Sequence, residues 1–138
     1  MRALISALFA LTLAACATEP AAPPAGGDAP AVHLSGTHWR RVDDMNANPH
    51  GATLDFEGAR ATGYTGCNRW FADVTQDGEI LRFGPIGTTR MACTAGVQQA
   101  TERSFLAVLR ATRYGHYDQD ALMLLDENQQ VIAEFRTE

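Results

Sequence analysis

The hydrophobic period of this chain changes once and then changes back, and that restricts the fold more than any single residue does. From 52 to 83 the apolar residues alternate, with Leu54 and Phe56 on one face and Thr53 and Asp55 on the other. Alternation with period two is the mark of a half-buried strand. Between 94 and 112 the spacing becomes helical: Val97, Thr101, Phe105, Val108, Leu109 and Thr112 form one stripe. Glu102, Arg103 and Arg110 fall off it, and Thr94 is placed to cap its start. After 112 the alternation returns. Turn residues separate the runs, including Glu57-Gly58 and Asp77-Gly78, and an Asp-Gly pair suits a tight hairpin.

These breaks predict strands over 36–43, 52–56, 60–64, 70–75 and 79–83, a helix, and strands over 113–117, 121–125 and 131–136. Trp39 and Val42 mark the first. The run Ala121-Leu122-Met123-Leu124-Leu125 is apolar on both faces, so it belongs where both faces are covered, one of them by the helix. In the last strand Val131, Ala133 and Phe135 point inward. The predicted class is α+β and mainly antiparallel β. About eight strands form a meander half-barrel, with one helix inserted between strands five and six and packed on the open side.

The ends of the chain differ from its middle. Residues 1–15 read as a signal peptide: Arg2 precedes a short apolar run, shorter than the roughly 20 residues that a membrane span needs. The run ends in Leu13-Ala14-Ala15-Cys16, which resembles a bacterial lipobox and makes Cys16 the expected lipid-attachment site. Ala17, where Asp would resemble an inner-membrane retention signal, favours the outer membrane. Residues 16–34 then carry Ala, Pro and Gly with no large apolar residue before Val32. Such a segment cannot bury enough surface to offset its ordering entropy. It is expected to be a disordered tether of up to ~50 Å, leaving 35–138 as the domain.

Beyond residue 15 the chain has ten arginines, no lysine and sixteen acids. A net-negative chain without a basic block is a poor nucleic-acid binder, so no nucleic-acid partner is expected. There is no Gly-x-Ser-x-Gly, no HExxH and no phosphate loop, and no cofactor is expected. His33, His38, His50 and His116 are scattered. A metal site would need His38 and His116 to meet near Asp118, and polar surface is the plainer reading. Arg69 and Arg90 flank the cysteines and read first as surface charge, with joint anion binding the alternative. Asp43-Asp44 reads as a solvated pair. Trp39, Tyr64, Trp70 and Phe71 read as core, and an outward Trp70 or Phe71 would mark a contact surface.

With Cys16 assigned to lipid, Cys67 and Cys93 remain. An even pair in an oxidising compartment is most often bridged. Two buried thiols, a catalytic cysteine and a metal pair stay open beside that reading. No histidine adjoins either cysteine to activate it, and two cysteines alone are a poor zinc set. Gly66 suits a positive φ, and Asn68 can fix a turn through its own backbone neighbourhood.

Gly66-Cys67-Asn68 followed by Thr89-Arg90-Met91-Ala92-Cys93 and then Glu102-x-x-Phe105 with Leu109 resembles the META domain of HslJ-like bacterial lipoproteins. Trp39 and the Leu122-x-Leu124 strand agree with it, and the resemblance covers about 35–138. Trp70-Phe71 departs from it, since the family often has smaller residues there. The resemblance implies a half-barrel with one helix, similar to secretin pilot lipoproteins whose cracked barrel accepts a lipid tail. It also implies an association with heat shock and envelope stress, and no established catalytic residues. The expected function is a non-enzymatic, outer-membrane-anchored periplasmic lipoprotein that binds a partner or supports the envelope. It would be held to the membrane by its N-terminal lipid, with an envelope protein or lipid as ligand. One alternative is a pilot-like chaperone holding an acyl chain or amphipathic peptide. The other is a small envelope hydrolase or thiol enzyme.

Overall fold

The computed structural model describes residues 33–44 and 51–138. The expected signal peptide, Cys16 and most of the tether lie outside the described residues, as does most of the loop after the first strand. The described elements are β1 (His38–Arg41), β2 (Thr53–Glu57), β3 (Arg60–Tyr64), β4 (Arg69–Asp77), β5 (Ile80–Phe83), β6 (Gly87–Thr88), α1 (Gly96–Ala111), β7 (Tyr114–Asp118), β8 (Ala121–Leu125) and β9 (Val131–Thr137).

Eight of the strands form an antiparallel meander that closes on itself. Each barrel strand pairs with the next, and β1 pairs with β9 through Trp39↔Thr137, Arg40↔Arg136 and Arg41↔Phe135. The mainly antiparallel class and the single helix between the fifth and sixth barrel strands agree with the pattern of periods. The closure goes further than a half-open sheet, because strand alternation carries no information about which distant strands meet. β6 is an added short strand on β4, pairing Trp70↔Thr88 and Phe71↔Gly87. It lies between β5 and α1, and two residues are too few to show a period.

The thinnest seam is β5 against β7, which share one register pair, Ile80↔Tyr114. This is the joint at which the chain departs to make α1. The helix bridges it over one end of the barrel, sending Phe105 inward against Trp70 (ring centroids 5.5 Å apart) and Phe135 (6.3 Å). From there a chain of ring contacts continues through Trp70–Phe83 and Phe83–Phe56. Trp39, Leu54, Leu81, Leu122 and Leu124 fill the remaining interior, each almost fully buried. Aromatic pairs at these separations add about 0.5–1.5 kcal/mol each beyond their buried area. An acyl chain held in an open half-barrel would need the space these rings occupy.

Four local expectations are corrected. The helix starts at Gly96 with Ala95 as its N-cap and no side-chain cap, so Thr94 does not perform that role. Val97 is exposed, and the buried stripe of the helix begins at Thr101. Val131 is also exposed. A register shift pairs Leu124 with Ala133 but Leu125 with Val131. The extra residue turns Val131 outward, since one residue of slip reverses a strand's faces. The outward residues of β8, Ala121, Met123 and Leu125, are half-buried on the barrel wall, whereas the helix packs over the barrel end.

Candidate functional site

The two halves of the cysteine motif meet at the β3–β4 corner, beneath the start of α1. Thr65 and Asn68 build the corner locally. The Thr65 hydroxyl accepts the N–H groups of Cys67 (3.3 Å) and Asn68 (2.9 Å), and the Thr65 N–H donates to the Asn68 carbonyl at 2.8 Å. A threonine three residues before an asparagine can close such a turn with its own side chain. Gly66 sits inside it at φ +100°, a conformation that suits glycine. Cys67 is thereby aimed at Cys93, and the two form a disulfide with Cα atoms 5.9 Å apart.

Asn68 is the hub. Its Oδ1 accepts the Met91 N–H at 2.7 Å and the Thr89 hydroxyl at 3.0 Å. Its Nδ2 donates to Glu102 at 2.9 and 3.2 Å, and lies 3.4 Å from Cys67 Sγ and 3.8 Å from Cys93 Sγ. Glu102 also accepts the Thr65 hydroxyl at 2.5 Å and the Asn68 N–H at 3.2 Å. Thr89 Oγ1 in turn accepts the Arg69 N–H at 3.1 Å. Asn68 is 4% exposed and its amide has both lone pairs and its N–H groups engaged. Its expected partner was its own neighbouring backbone. The observed partners lie 23 and 34 residues downstream.

Chemically this corner is a clamp. The disulfide and the Asn68 amide hold the 88–95 segment, and Glu102 holds the helix. Both cysteines are bonded to each other, so neither offers a thiol. Of the motif residues, Gly66, Cys67, Asn68, Thr89 and Cys93 shape or tie the corner, and Met91 joins through its backbone while its side chain is 68% exposed. Arg90 and Ala92 are exposed. A groove of about 290 Å³ beside the clamp is bounded by Thr53, Asp55, Gly63, Tyr64, Cys67, Arg69 and Met91. Gly63 there is a close-approach position: a Cβ would stand 2.2 Å from the Thr53 carbonyl oxygen.

A second polar cluster holds the helix from the β1 side. Arg41, 5% exposed, forks onto Asp43 at 2.8 and 2.9 Å and donates to Ser104 Oγ at 3.1 Å. Asp44 lies 3.7 Å from the guanidinium, and neither of its carboxylate oxygens has a hydrogen-bond partner among the described residues. Burial works against the Arg41 charge, but its hydrogen bond to Asp43 and the charges of Asp43 and Asp44 outweigh it and hold the pKa above its ordinary value. Burial also opposes the Asp43 charge, and the Arg41 bond and charge overcome it, leaving Asp43 below the usual range. At Asp44 burial prevails and the pKa rises. The solvated-pair reading of Asp43-Asp44 is therefore corrected. Neither Arg41 nor the position of Ser104 stood out in the sequence.

The remaining candidates separate. His38 pairs with Asp55 at 2.9 Å, whereas His116 pairs with Glu79 at 3.1 Å on a strand that does not adjoin β1. No cluster of metal-ligating side chains occurs among the described residues. Trp70 faces inward, and Phe71 faces out at 45% exposure, with Gly87 against its ring and the Arg60 guanidinium 5.3 Å above it. His33 is exposed at the start of the described chain, and His50 lies outside the described residues. No described helix is long and apolar enough to cross a membrane.

The META domain profile matches residues 32–138, which takes in every described strand, the clamp and the helix. The chain belongs to the META domain family. Among solved structures, the NMR structure of a protein from Burkholderia xenovorans is 24% identical with a TM-score of 0.60, covering 76% of this chain and 83% of that one. A second NMR structure is 15% identical with a TM-score of 0.58, covering 75% and 90%. A crystal structure of a DUF4847 family protein from Bacteroides vulgatus is 15% identical with a TM-score of 0.55, covering 75% and 93%. These likenesses establish a shared fold. No curated protein matches the chain.

Proposed function

We propose that this META domain is the folded part of a lipoprotein anchored by Cys16 to the outer membrane, facing the periplasm, with a non-enzymatic binding or supporting role in the envelope under stress. The observation that carries the anchor is Leu13-Ala14-Ala15-Cys16 at the end of a short apolar run, followed by a Pro- and Ala-rich tether. A disulfide between the remaining two cysteines suits an oxidising compartment. The non-enzymatic reading is supported by the clamp, whose Asn68 amide and Glu102 carboxylate are committed to each other and to backbone groups.

Metabolic labelling with palmitate tests the reading directly. The wild-type chain is expected to take up label and fractionate with outer membranes, and Cys16→Ser is expected to lose both. Globomycin is expected to accumulate a precursor about 15 residues longer, consistent with cleavage before Cys16. A wild-type chain that remains unlabelled overturns the anchor.

A further inference from the structure

We propose that the outer wall of β5, β7, β8 and β9 is a docking surface for a basic amphipathic helix of a partner protein. The outward residues Ile80, Tyr114, Leu125 and Val131 are directly paired across these strands, Ile80 with Tyr114, Tyr114 with Leu125 and Leu125 with Val131. They form one apolar row that crosses the strands and ends at Asp77, the β4 partner of Ile80. Ile80 and Val131 are exposed, and Tyr114 and Leu125 are half-buried. A cavity of about 420 Å³ opens along the row, and its walls include Ile80, Tyr114 and Leu125 together with Glu79 and His116. The register shift between β8 and β9 completes the row, since it is what turns Val131 outward. Phe71 on β4, exposed to a similar degree, has only Thr62 and Gly87 beside it in the ladder.

The charge of the domain selects the sign of the partner. Residues 33–112 carry eight arginines against eight acids, whereas 113–138 carry two against six. The excess negative charge therefore lies on β7, β8, β9 and their turns. Asp118, Glu127 and Glu134 form no ion pair among the described residues. Most cations of the wall are engaged: Arg136 pairs with Asp120, His116 with Glu79, and Arg113 donates to the Arg110 and Thr112 carbonyls. Arg82, two residues along β5 from Ile80, is exposed and is the exception. Two copies of this wall would repel each other, and so would the wall and an anionic lipid surface. The backbone selects the form of the partner. β5, β7, β8 and β9 each have a hydrogen-bonded neighbour on both sides. A segment lying on their outer face finds no free edge and must satisfy its own backbone, as a helix does. The dimensions agree, since three strand spacings make about 14 Å and apolar residues at i, i+3, i+7 and i+10 of a helix span about 15 Å. Basic residues on the flank of such a helix reach toward Glu79, Glu134 and Asp118. This names a partner class for the binding role proposed above and rests on that part of the reading, not on the anchor.

The test is fluorescence anisotropy with the chain from Cys16 onward carrying Cys16→Ser. Every strand and the helix of the closed barrel lie within 33–138, and this piece retains them. The probes are labelled peptides of about 18 residues, long enough to cover the row. One places leucine on one helical face and lysine on the other, a second has the same composition in scrambled order, and a third has glutamate for lysine. Only the first is expected to bind, and its binding is expected to weaken as salt rises. Ile80→Ser with Val131→Ser is expected to weaken it about tenfold. Asp118→Asn with Glu134→Gln changes charge at nearly constant shape and is expected to weaken it about fourfold, which keeps the test open should the serines disturb the fold. Phe71→Ser is expected to leave it unchanged. Failure of the first peptide to bind overturns the proposal, as does binding that survives both double substitutions. Equal binding of the scrambled or acidic peptide also overturns it, and so does a loss on Phe71→Ser as large as that of the serine pair. Self-association that Ile80→Ser with Val131→Ser abolishes, without peptide binding, overturns it and assigns the wall to a second copy. None of these outcomes bears on the Cys16 anchor, which palmitate labelling reads separately.

Discussion

Two polar clusters hold the helix to the same end of the barrel by opposite means. The Asn68 clamp uses an amide whose donors and acceptors are engaged, and its one carboxylate, Glu102, collects the Thr65 hydroxyl and the Asn68 N–H groups. The Arg41 cluster uses charge. One guanidinium faces two carboxylates, binds Asp43 with two bonds and leaves Asp44 without a hydrogen bond among the described residues. A saturated buried network fixes one geometry, whereas a buried charge lacking full compensation costs stability. The first cluster should therefore be damaged by almost any change, and the second should be improvable.

The largest expected effect comes from Asn68→Ala. It strips the Met91 N–H, the Thr89 hydroxyl and the Glu102 carboxylate of a shared partner that is itself buried. Leaving a buried polar group unsatisfied costs roughly 1–3 kcal/mol. The expected loss is about 4 kcal/mol by urea denaturation at neutral pH. A loss below about 1 kcal/mol would mean that water replaces the amide, and the contrast between the clusters would fail.

Next is the disulfide. Cys67→Ser with Cys93→Ser opens a loop of 26-residue separation, for which the chain-entropy model gives a loss of roughly 3.5 kcal/mol. The same model says the loss arises in the unfolded chain, so the Asn68 bonds should persist in the folded variant. Hydrogen exchange at the Met91 amide reads this. Protection that survives relative to the new global stability supports two independent ties, and selective loss of it would show that the amide clamp depends on the covalent one.

Much of the fold was legible because its signals are local. The return from helical to alternating period located α1, and Leu54, Phe56, Ala133 and Phe135 lie on the faces that alternation assigned. What was not legible is non-local. The β1–β9 closure joins residues nearly a hundred positions apart, and the Val131 reversal depends on a bulge in a pairing the sequence does not display. The site divides in the same way. Gly66, Cys67 and Cys93 advertise themselves by residue type. Glu102 looks like an ordinary solvent-facing helix acid until Asn68 arrives beneath it. Arg41 sits where alternation along a short strand expects an apolar residue, and only the approach of Ser104 and Asp43 explains its burial.

The smallest expected effect has the opposite sign from the others. Asp44→Asn removes a carboxylate whose pKa is raised by burial, with Arg41 pulling the other way and Asp43 adding to the rise. A carboxyl whose folded pKa lies above its unfolded value of about 3.8 penalises the folded state at neutral pH. That penalty disappears as pH falls through the raised value and the folded chain takes up the proton first. The substitution should therefore stabilise the domain at pH 7 by a few tenths to about 1 kcal/mol, since the site is partly exposed and screened. The gain should vanish near pH 3. Asp43→Asn should do the reverse at pH 7, because Asp43 is held below the ordinary range and contributes stability that is lost only as pH falls from about 3.8 through its folded value. Urea denaturation of both variants at the two pH values separates these cases. If Asp44→Asn destabilises the domain at pH 7 as Asp43→Asn does, Asp44 has a partner as firm as those of Asn68, and the two clusters hold the helix by the same means.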